Sequence, residues 1–387
     1  MTQRKIPEPK PLFIERMQAL LNPADFKEYQ EMLKIPPVRS IRCNTLRISP
    51  EKLKERLEKN GWKIKQPWHK YPKIMIVEGK YVAKKEIEDK EKDNILNNQF
   101  NNSENILDDD VNNKSIPSEA RLILGGGVGK NIKNKNKLLI DLEPGELGRA
   151  LEHQLGYYYV QELSSMLPVL ALEPRPEETI LDLCASPGSK TTQIASSMKN
   201  TGAIIANEVS LARIKILASN LERCGVTNTI ITKKEGSALC LRLEKSNLSF
   251  DKILVDAPCS GEGTLRSSHK TYLMWNIKTI KALPRIQKSL LRSAIDILKI
   301  GGTIIYSTCT HAPEENEEVV SNILNEFGNS IKLEEIKLPI KPREGITNWE
   351  DKTYNSQVKK CARIYPQDNN TEGFFLAKIK KVRWKNI

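Results

Sequence analysis

The feature that most constrains the fold is a regular alternation of apolar runs and helical stretches beyond residue 178. Each apolar run is four to seven residues long, which is a usual length for a buried strand. Strands separated by helices indicate βαβ units, in which successive strands lie parallel in one sheet. We therefore predict an α/β domain with helices on both faces of its sheet. The predicted strands are 179–184, 203–207, 229–232, 251–257 and 303–307, the predicted helices are 190–197, 211–224, 286–299 and 315–326, and a final antiparallel strand is expected at 371–380.

A smaller basic unit precedes this domain. The net charge of the chain is +13, and residues 1–80 contribute +9 of it, because 18 basic residues there face 9 acidic ones. This excess indicates a polyanionic partner, although a lysine-rich proteome would produce it as well. Residues 12–34 have helical periodicity, residues 38–46 alternate like a strand, and Ser49-Pro50 is typical of a helix start. We predict a small α+β module at 1–83.

Residues 84–136 have a different composition. Eleven asparagines fall between 94 and 136, together with a run of three aspartates and a run of three glycines. This composition cannot bury much apolar surface, so we predict a disordered insertion. Residues 137–160 are expected to complete the N-terminal region, and residues 161–387 to form the larger domain.

Cysteine usage and hydropathy argue against several classes of protein. The seven cysteines include no CxxC pair, which makes a disulfide framework or a zinc ribbon a poor interpretation. No apolar run reaches about 18 residues, and no apolar segment lies near the start, so neither a membrane span nor a secretory signal is expected. We therefore expect a cytoplasmic monomer without a metal or a membrane partner.

The turn after the first predicted strand is the first candidate site. Residues 182–190 read DLCASPGSK and lead into a helix, which is the position where open α/β sheets bind ligands. The second strand ends at Glu208, and an acidic side chain there can accept hydrogen bonds from both hydroxyls of a ribose. Neither GxGxxG nor GxxxxGK[ST] is present, so the pattern favours a nucleoside cofactor without a diphosphate.

Two cysteines form the second candidate site. Cys259 and Cys309 each lie just beyond the carboxyl end of a predicted strand, on the ligand side of the sheet. Because neither cysteine belongs to a CxxC pair of the kind that binds zinc, thiol chemistry is favoured over zinc. The cysteines at 43, 224 and 240 are instead expected to be small buried hydrophobic residues.

Three motifs, LDLCASPGSKTTQIA, VDAPCSGEGTLR and YSTCTHAPEENEEVV, resemble those of the RNA cytosine-C5 methyltransferases of the Nop/Sun family. The resemblance covers roughly 150–387, and PPVRSIRCNTLRI resembles the RNA-binding front region of the same enzymes. It implies a Rossmann-like S-adenosylmethionine-dependent methyltransferase sheet preceded by a small α+β RNA-binding domain. The chain is most similar to archaeal-type tRNA (cytosine-5) methyltransferases, which implies tRNA as substrate.

The same resemblance implies S-adenosylmethionine as cofactor and assigns its contacts residue by residue. Glu208 matches the ribose ligand, and Glu235 stands where the family usually has a shorter Asp beside the adenine. The remaining cofactor contacts that the resemblance implies are Cys184, Ala185, Ser186, Pro187, Gly188, Ser189, Lys190, Arg213 and Asp256.

The chemistry of cytosine explains why two thiols would be needed. C5 becomes nucleophilic enough to accept a methyl group only after a thiolate has added at C6. The resemblance assigns the nucleophile to Cys309 and a role in its release to Cys259. Asp256, if protonated on binding, is the expected donor at N3. Lys190 is expected to lower a nearby thiol pKa or to steady the base, and the alternative is a plain surface lysine.

Several alternatives remain at this point. Arg39, Arg42 and Arg47 are predicted to contact RNA phosphates, although Arg39 and Arg42 would serve equally well in internal pairs with catalytic-domain carboxylates. An rRNA substrate, a non-catalytic RNA-binding or ribosome-assembly factor on the same fold, and a DNA substrate are the rival functions. The presence of both Cys259 and Cys309 argues against the non-catalytic factor. The insertion at 84–136 is predicted to be dispensable for methylation.

Overall fold

A computed structural model describes residues 8–84, 137–268 and 270–384. The disorder predicted for 84–136 therefore concerns residues that, apart from Lys84, lie outside the described part of the chain. Within the described part, no helix is both long and apolar enough to cross a membrane.

The helix predicted at 12–34 is in fact two helices, α1 (Pro11–Leu20) and α2 (Pro23–Leu33). The break occurs at Asn22, whose side chain accepts a hydrogen bond from the Asp25 backbone N–H and caps α2. Both helices pack their apolar faces against Trp275 and Tyr365 of the larger domain. In the structure, the unit predicted at 1–83 thus has two parts, of which only the second contributes to the smaller sheet.

The smaller sheet combines strands from both sides of the undescribed segment. Its strands are β1 (Ser40–Cys43), β2 (Trp62–Lys65), β3 (Ile74–Ala83), β4 (Lys137–Ile140) and β5 (Tyr158–Val160). The order is β2-β3-β1-β5 with β4 also paired to β3, and every pair is antiparallel. Helix α3 (Pro50–Lys59) covers one face with buried Leu53 and Leu57 and is capped by Ser49, as predicted.

The larger sheet has nine strands and is mixed, with four parallel and four antiparallel strand pairs. Its members are β6 (Thr179–Asp182), β7 (Ala203–Asn207), β8 (Thr229–Thr232), β9 (Phe250–Asp256), β10 (Leu298–Thr308), β11 (Ile331–Glu334), β12 (Arg343–Glu344), β15 (Ala362–Ile364) and β16 (Phe374–Lys381). The order is β12-β15-β16-β10-β9-β6-β7-β8, with β11 paired to β16. Strands β6 to β10 are mutually parallel and β16 is antiparallel to β10, which confirms the predicted final strand. A separate hairpin is formed by β13 (Asn348–Trp349) and β14 (Lys352–Thr353).

Two short helices, α4 (Glu146–Arg149) and α5 (Leu151–Gln154), lie between β4 and β5 of the smaller sheet. The helices of the larger domain are α6 (Leu163–Leu172), α7 (Ser189–Met198), α8 (Leu211–Cys224), α9 (Gly236–Lys245), α10 (Lys270–Met274), α11 (Ile277–Asp296), α12 (Glu317–Phe327) and α13 (Pro366–Asn369). The helix predicted at 286–299 is the second half of α11, because Pro284 lies inside that helix rather than before it.

The core lies in two layers that follow the strand periodicity. Leu181 and Ile253 point to the face covered by α9, α11 and α12, whereas Ile180 and Leu254 point to the face covered by α6 and α7. Both faces are thus buried, as expected for a parallel sheet. Three cysteines, Cys43, Cys224 and Cys240, are fully buried in apolar surroundings, which confirms their predicted packing role.

The pairing of β3 with β4 leads to a first testable prediction. Ala83 and Lys137 are direct partners in the sheet, so the chain leaves and re-enters it at one place. Replacing 84–136 by Asn-Gly, which favours a two-residue hairpin turn, should therefore preserve the fold. We expect the free energy of unfolding to stay equal or to rise, because the loop that must be closed becomes shorter. Urea denaturation followed by circular dichroism measures this, and a lower midpoint would contradict it.

Candidate active site

The carboxyl ends of β9 and β10 bring the two candidate cysteines together. The Sγ atoms of Cys259 and Cys309 lie 3.2 Å apart, and the Cys309 backbone N–H donates to the Cys259 sulfur at 3.3 Å. Neighbouring strands of a parallel sheet end at the same edge, which explains why residues fifty positions apart in sequence meet here.

The loops that carry the cysteines are fixed by a set of hydrogen bonds. The Gly263 N–H donates to the Cys309 carbonyl at 2.9 Å, and the hydroxyls of Ser260 and Thr310 lie 2.8 Å apart. Glu315, which is buried, accepts from the Ser260 N–H at 3.0 Å and from Gln287 at 2.9 Å. The two sulfurs are therefore held in place by the backbone on both sides.

The two thiols are not equivalent. The hydrogen bond to the Cys309 sulfur, followed by desolvation, raises the pKa of the partly buried Cys259 well above its usual value. A protonated Cys259 can donate to a thiolate on Cys309. The assignment of Cys309 as the nucleophile stays a prediction.

Lys190 and Asp256 form an ion pair beside the cysteines. Lys190 Nζ lies 2.7 Å from one carboxylate oxygen of Asp256 and donates to the Ser165 hydroxyl at 3.2 Å. The Ser307 hydroxyl donates to the other Asp256 oxygen at 2.7 Å. Burial lowers the pKa of Lys190, but the charge of Asp256 and the hydrogen bond to it outweigh burial and raise that pKa overall.

This ion pair bears on two expectations from the sequence. Lys190 is only 9% exposed, so the alternative of a plain surface lysine is wrong. Asp256 accepts from the Lys190 ammonium at 2.7 Å, and its role as the donor at N3 stays a prediction. Lys190 is the member of the pair whose N–H groups can donate to a ligand.

A cavity of about 420 Å³ lies directly over these side chains. Cys309, Asp256 and Lys190 line its floor, and Phe374 and Glu372 at the start of β16 contribute to its wall. Residues 37–40 of the N-terminal region close another side. The reacting groups thus face a recess that both parts of the chain build.

The predicted cofactor turn has the expected geometry. Gly188 adopts a left-handed φ of +102°, and a Cβ there would lie 3.0 Å from Leu217, so a side chain would be strained as well as crowded. Arg213 donates to the Ser186 carbonyl at 2.7 Å and lies 3.2 Å from the Glu208 carboxylate. Glu208 also accepts from the Ser210 N–H, which fixes its position at the strand end.

One acidic residue of this region was missed by the sequence analysis. Asp182, the last residue of β6, is buried, and only one of its oxygens has a partner, the Thr191 hydroxyl at 2.7 Å. Burial raises the pKa of Asp182 to about 7. An unpartnered acceptor beside the turn, together with Glu208, fits a ligand that carries hydroxyl and ammonium donors. Its position at a strand end directly before the turn was the signal available in the sequence.

Glu235 has a capping role in the structure. Its two carboxylate oxygens accept hydrogen bonds from the backbone N–H groups of Ser237 and Ala238 and begin α9. The side chain is exposed. The adenine contact assigned to Glu235 stays a prediction.

The three candidate RNA-binding arginines lie in different surroundings. Arg42 is 1% exposed, and its guanidinium donates to Gln161, to the Ser189 carbonyl and to the Thr192 hydroxyl at 2.6–2.7 Å. The predicted phosphate contact of Arg42 is therefore wrong, because its side chain is buried between β1 and α7. Arg39 is partly exposed, lies 3.6 Å from Asp141 and lines the cavity, and Arg47 is exposed.

The buried arginine gives a second testable prediction. Arg42→Ala should lower the free energy of unfolding by about 2–3 kcal/mol, since charge-assisted hydrogen bonds between the smaller sheet and α7 are lost. Arg39→Ala is the matched control and should change it by less than about 1 kcal/mol, because its ion pair is exposed. Urea midpoints with unchanged m-values test the pair. Equal effects of the two substitutions would contradict the assignment.

Comparisons with known proteins agree with this arrangement. A family model described as 16S rRNA methyltransferase RsmB/F matches residues 169–380. The tRNA (cytosine(49)-C(5))-methyltransferase of Pyrococcus abyssi is 46% identical over 61% of this chain and 74% of its own length. Ribosomal RNA small subunit methyltransferase F of Vibrio cholerae is 39% identical over 61% of this chain, but the match spans only 48% of that relative.

A solved structure extends the likeness to the N-terminal region. The crystal structure of NSun6 from Pyrococcus horikoshii with SFG is 26% identical, has a TM-score of 0.71, and covers 97% of this chain and 99% of that one. The similarity thus includes the arrangement of the smaller sheet beside the larger one.

Proposed function

The chain belongs to the RsmB/F family of methyltransferases, and on that premise we propose that it methylates C5 of cytosine in RNA, with tRNA as the substrate. The predicted Rossmann-like methyltransferase fold is confirmed. The single observation that carries the proposal is the pair of thiols 3.2 Å apart, of which Cys309 lines one cavity together with the Lys190–Asp256 ion pair.

S-adenosylmethionine is the cofactor, and when bound it supplies the methyl group that C5 accepts. The residues present fit it: Glu208 offers acceptors for ribose hydroxyls, Asp182 offers an unpartnered buried oxygen, and the 184–190 turn lets the backbone approach closely. Arg213 fixes the turn and Glu208 relative to each other through its two contacts.

Cys309 begins the reaction as a thiolate. Its Sγ forms a bond to C6 of cytosine, and the electron pair of the C5–C6 double bond shifts towards C5 and the ring, which makes C5 nucleophilic. Cys259 favours this state because its raised pKa leaves the negative charge on Cys309. The nearby Lys190 ammonium also stabilises that charge.

Lys190 supplies the compensation for charge that develops on the ring. Addition at C6 increases electron density at O2 and N3, and a buried ammonium that donates to these atoms stabilises the intermediate. Asp256 holds Lys190 in place and is itself fixed by Ser307. In this scheme Asp256 is a positioning residue and Lys190 is the donor.

Cys259 completes the reaction by removing the C5 proton. Once the Cys309 sulfur is bonded to C6, it no longer hydrogen-bonds as a thiolate, and one cause of the raised pKa of Cys259 disappears. Cys259 can then release its own proton to solvent and, as a thiolate, take the proton from C5. The C5–C6 double bond re-forms, the Sγ–C6 bond breaks, and Cys309 leaves as a thiolate.

RNA reaches this cavity through the N-terminal region. The target base must leave its stack to enter, as base-modifying enzymes require, and Arg39 is one of the residues that line the cavity. Arg39 and Arg47 are the remaining predicted phosphate contacts. An rRNA substrate is the second candidate, because the Vibrio relative bears that name, although the chain spans only about half of that protein.

Methyl transfer from labelled S-adenosylmethionine tests the function. We expect label in unfractionated tRNA, recovered as 5-methylcytidine after digestion. Label in rRNA alone would keep the chemistry and change the substrate. No label in either RNA, with cofactor binding intact, would contradict the proposal and favour a non-catalytic RNA-binding or ribosome-assembly factor.

A further inference from the structure

Glu372 is a buried carboxyl that the reaction described above does not use. It lies two residues before β16, is 4% exposed, and contributes to the wall of the catalytic cavity. One of its oxygens accepts from the Ser267 backbone N–H at 2.8 Å. The other, Oε2, is buried and has no hydrogen-bond partner among the described residues.

The charged groups around Glu372 leave this oxygen free. The Arg266 guanidinium is occupied by the carbonyls of Ile35, Pro36 and Thr371 and by the Asn370 side chain. Glu162 is acidic and accepts from the Glu372 backbone N–H at 3.0 Å. Within the described ranges, no cation forms an ion pair with Glu372, and burial raises its pKa to about 7.

An unsatisfied acceptor in a ligand cavity indicates a donor on the ligand. Leaving such a group unpaired costs free energy, so an unpaired buried acceptor calls for an explanation, and a ligand donor is one. The lining of the same cavity also presents donors, namely Lys190 and the Ser165 hydroxyl. The cavity lining therefore contains both donors and a free acceptor.

Cytosine matches this distribution and uracil does not. Cytosine carries acceptors at O2 and N3 and a donor amine at N4, whereas uracil carries an acceptor at O4 and a donor at N3. We propose that Glu372 is a specificity-determining residue whose free carboxylate oxygen accepts a hydrogen bond from the N4 amine of the target cytosine. This inference rests on the proposed function. Uracil would place O4 against this oxygen, and two facing acceptors repel each other.

Covalent trapping with fluorinated RNA tests this assignment directly. Fluorine at C5 blocks the final proton loss, so the Cys309 adduct accumulates and can be counted on a denaturing gel. tRNA transcripts are made with 5-fluorocytidine or with 5-fluorouridine in place of the parent nucleoside and incubated with the full-length chain and S-adenosylmethionine. For the native chain we expect an adduct with the fluorocytidine transcripts and little with the fluorouridine transcripts.

Glu372→Gln is the decisive variant, because its amide can accept from an amine or donate to a carbonyl. We expect the ratio of cytosine to uracil adduct to fall by at least about tenfold. A hydrogen bond that distinguishes two ligands typically contributes that much or more to specificity. Glu372→Asp, which keeps the charge, should retain part of the preference. Glu335→Gln, an exposed glutamate, is the matched control and should behave like the native chain.

The outcomes separate the inference from the function on which it rests. A native adduct whose base preference is unchanged in Glu372→Gln would overturn the role of Glu372 alone. No adduct of the native chain with either RNA would overturn the proposed function and this inference with it. Thermal unfolding and cofactor binding of each variant show that the ratio is compared between folded proteins.

Discussion

Cys309→Ala is expected to abolish methyl transfer while the protein stays folded and binds its cofactor. Without the sulfur no bond to C6 can form, and C5 stays too weak a nucleophile to accept the methyl group. The loss should reach about 10⁴-fold or more, as for other enzymes that lose a covalent nucleophile. Transfer of labelled methyl groups to tRNA measures the loss. Thermal unfolding should change little, because Ala fits the space of a partly buried Cys.

Cys259→Ala provides the contrast that assigns the two thiols. If Cys259 removes the C5 proton and permits release, its loss should leave the addition step intact and trap a protein–RNA adduct. A denaturing gel should therefore show an adduct with Cys259→Ala and none with Cys309→Ala. The reverse pattern would mean that Cys259 is the nucleophile, and it would contradict the mechanism.

The parts of the fold that the sequence predicts well are those fixed by local pattern. The strand at 203–207 and the helix at 211–224 have the predicted bounds, because β7 is a short apolar run and Gly225 ends α8 with a left-handed φ of +69°. The short strands β11, β12 and β15 were not predicted. They consist of two to four residues each, and their pairing with one another and with β16 exists only in the folded chain.

The start of α11 shows a second limit of local pattern. The helix was predicted to begin at about residue 286, yet α11 begins at Ile277, with Asn276 as its cap and Pro284 inside it. A proline inside a helix loses one hydrogen bond, and the packing of Leu290 and Leu291 in the core outweighs that loss. Tertiary contacts thus decided a boundary that propensity alone placed elsewhere.

The candidate site likewise has parts that the sequence predicts and parts that it does not. The motifs identify Cys259, Cys309 and the turn at 184–190 from the sequence, because each follows a strand end. The sequence does not show which side chains are buried or which groups they hydrogen-bond. In the structure Arg42 is buried, and Asp182 and Glu372 each have one buried oxygen without a hydrogen-bond partner. These properties depend on which side chains surround a residue, and no spacing in one sequence encodes that.

Lys190→Met is expected to have the second largest effect on activity. Met keeps much of the length and apolar volume of the lysine stem but removes the ammonium that stabilises the thiolate and the charged ring. Loss of a group that acts as a proton or hydrogen-bond donor in the transition state typically costs about 10²–10⁴-fold in rate. We therefore expect kcat for tRNA methylation to fall by about that much, with a smaller change in KM.

The design of this experiment separates catalysis from the general charge of the protein. Lys332→Met removes an exposed lysine on β11 and should leave kcat unchanged. Lys190→Arg keeps the charge but does not fit the 2.7 Å contact with Asp256 in the same way, so partial activity is expected. Because the pKa of Lys190 is raised, its ammonium persists at neutral and mildly basic pH and is lost only above its usual range. A Lys190→Met enzyme with native kcat would show that Lys190 is a structural partner of Asp256 and that the ring charge is stabilised by another group.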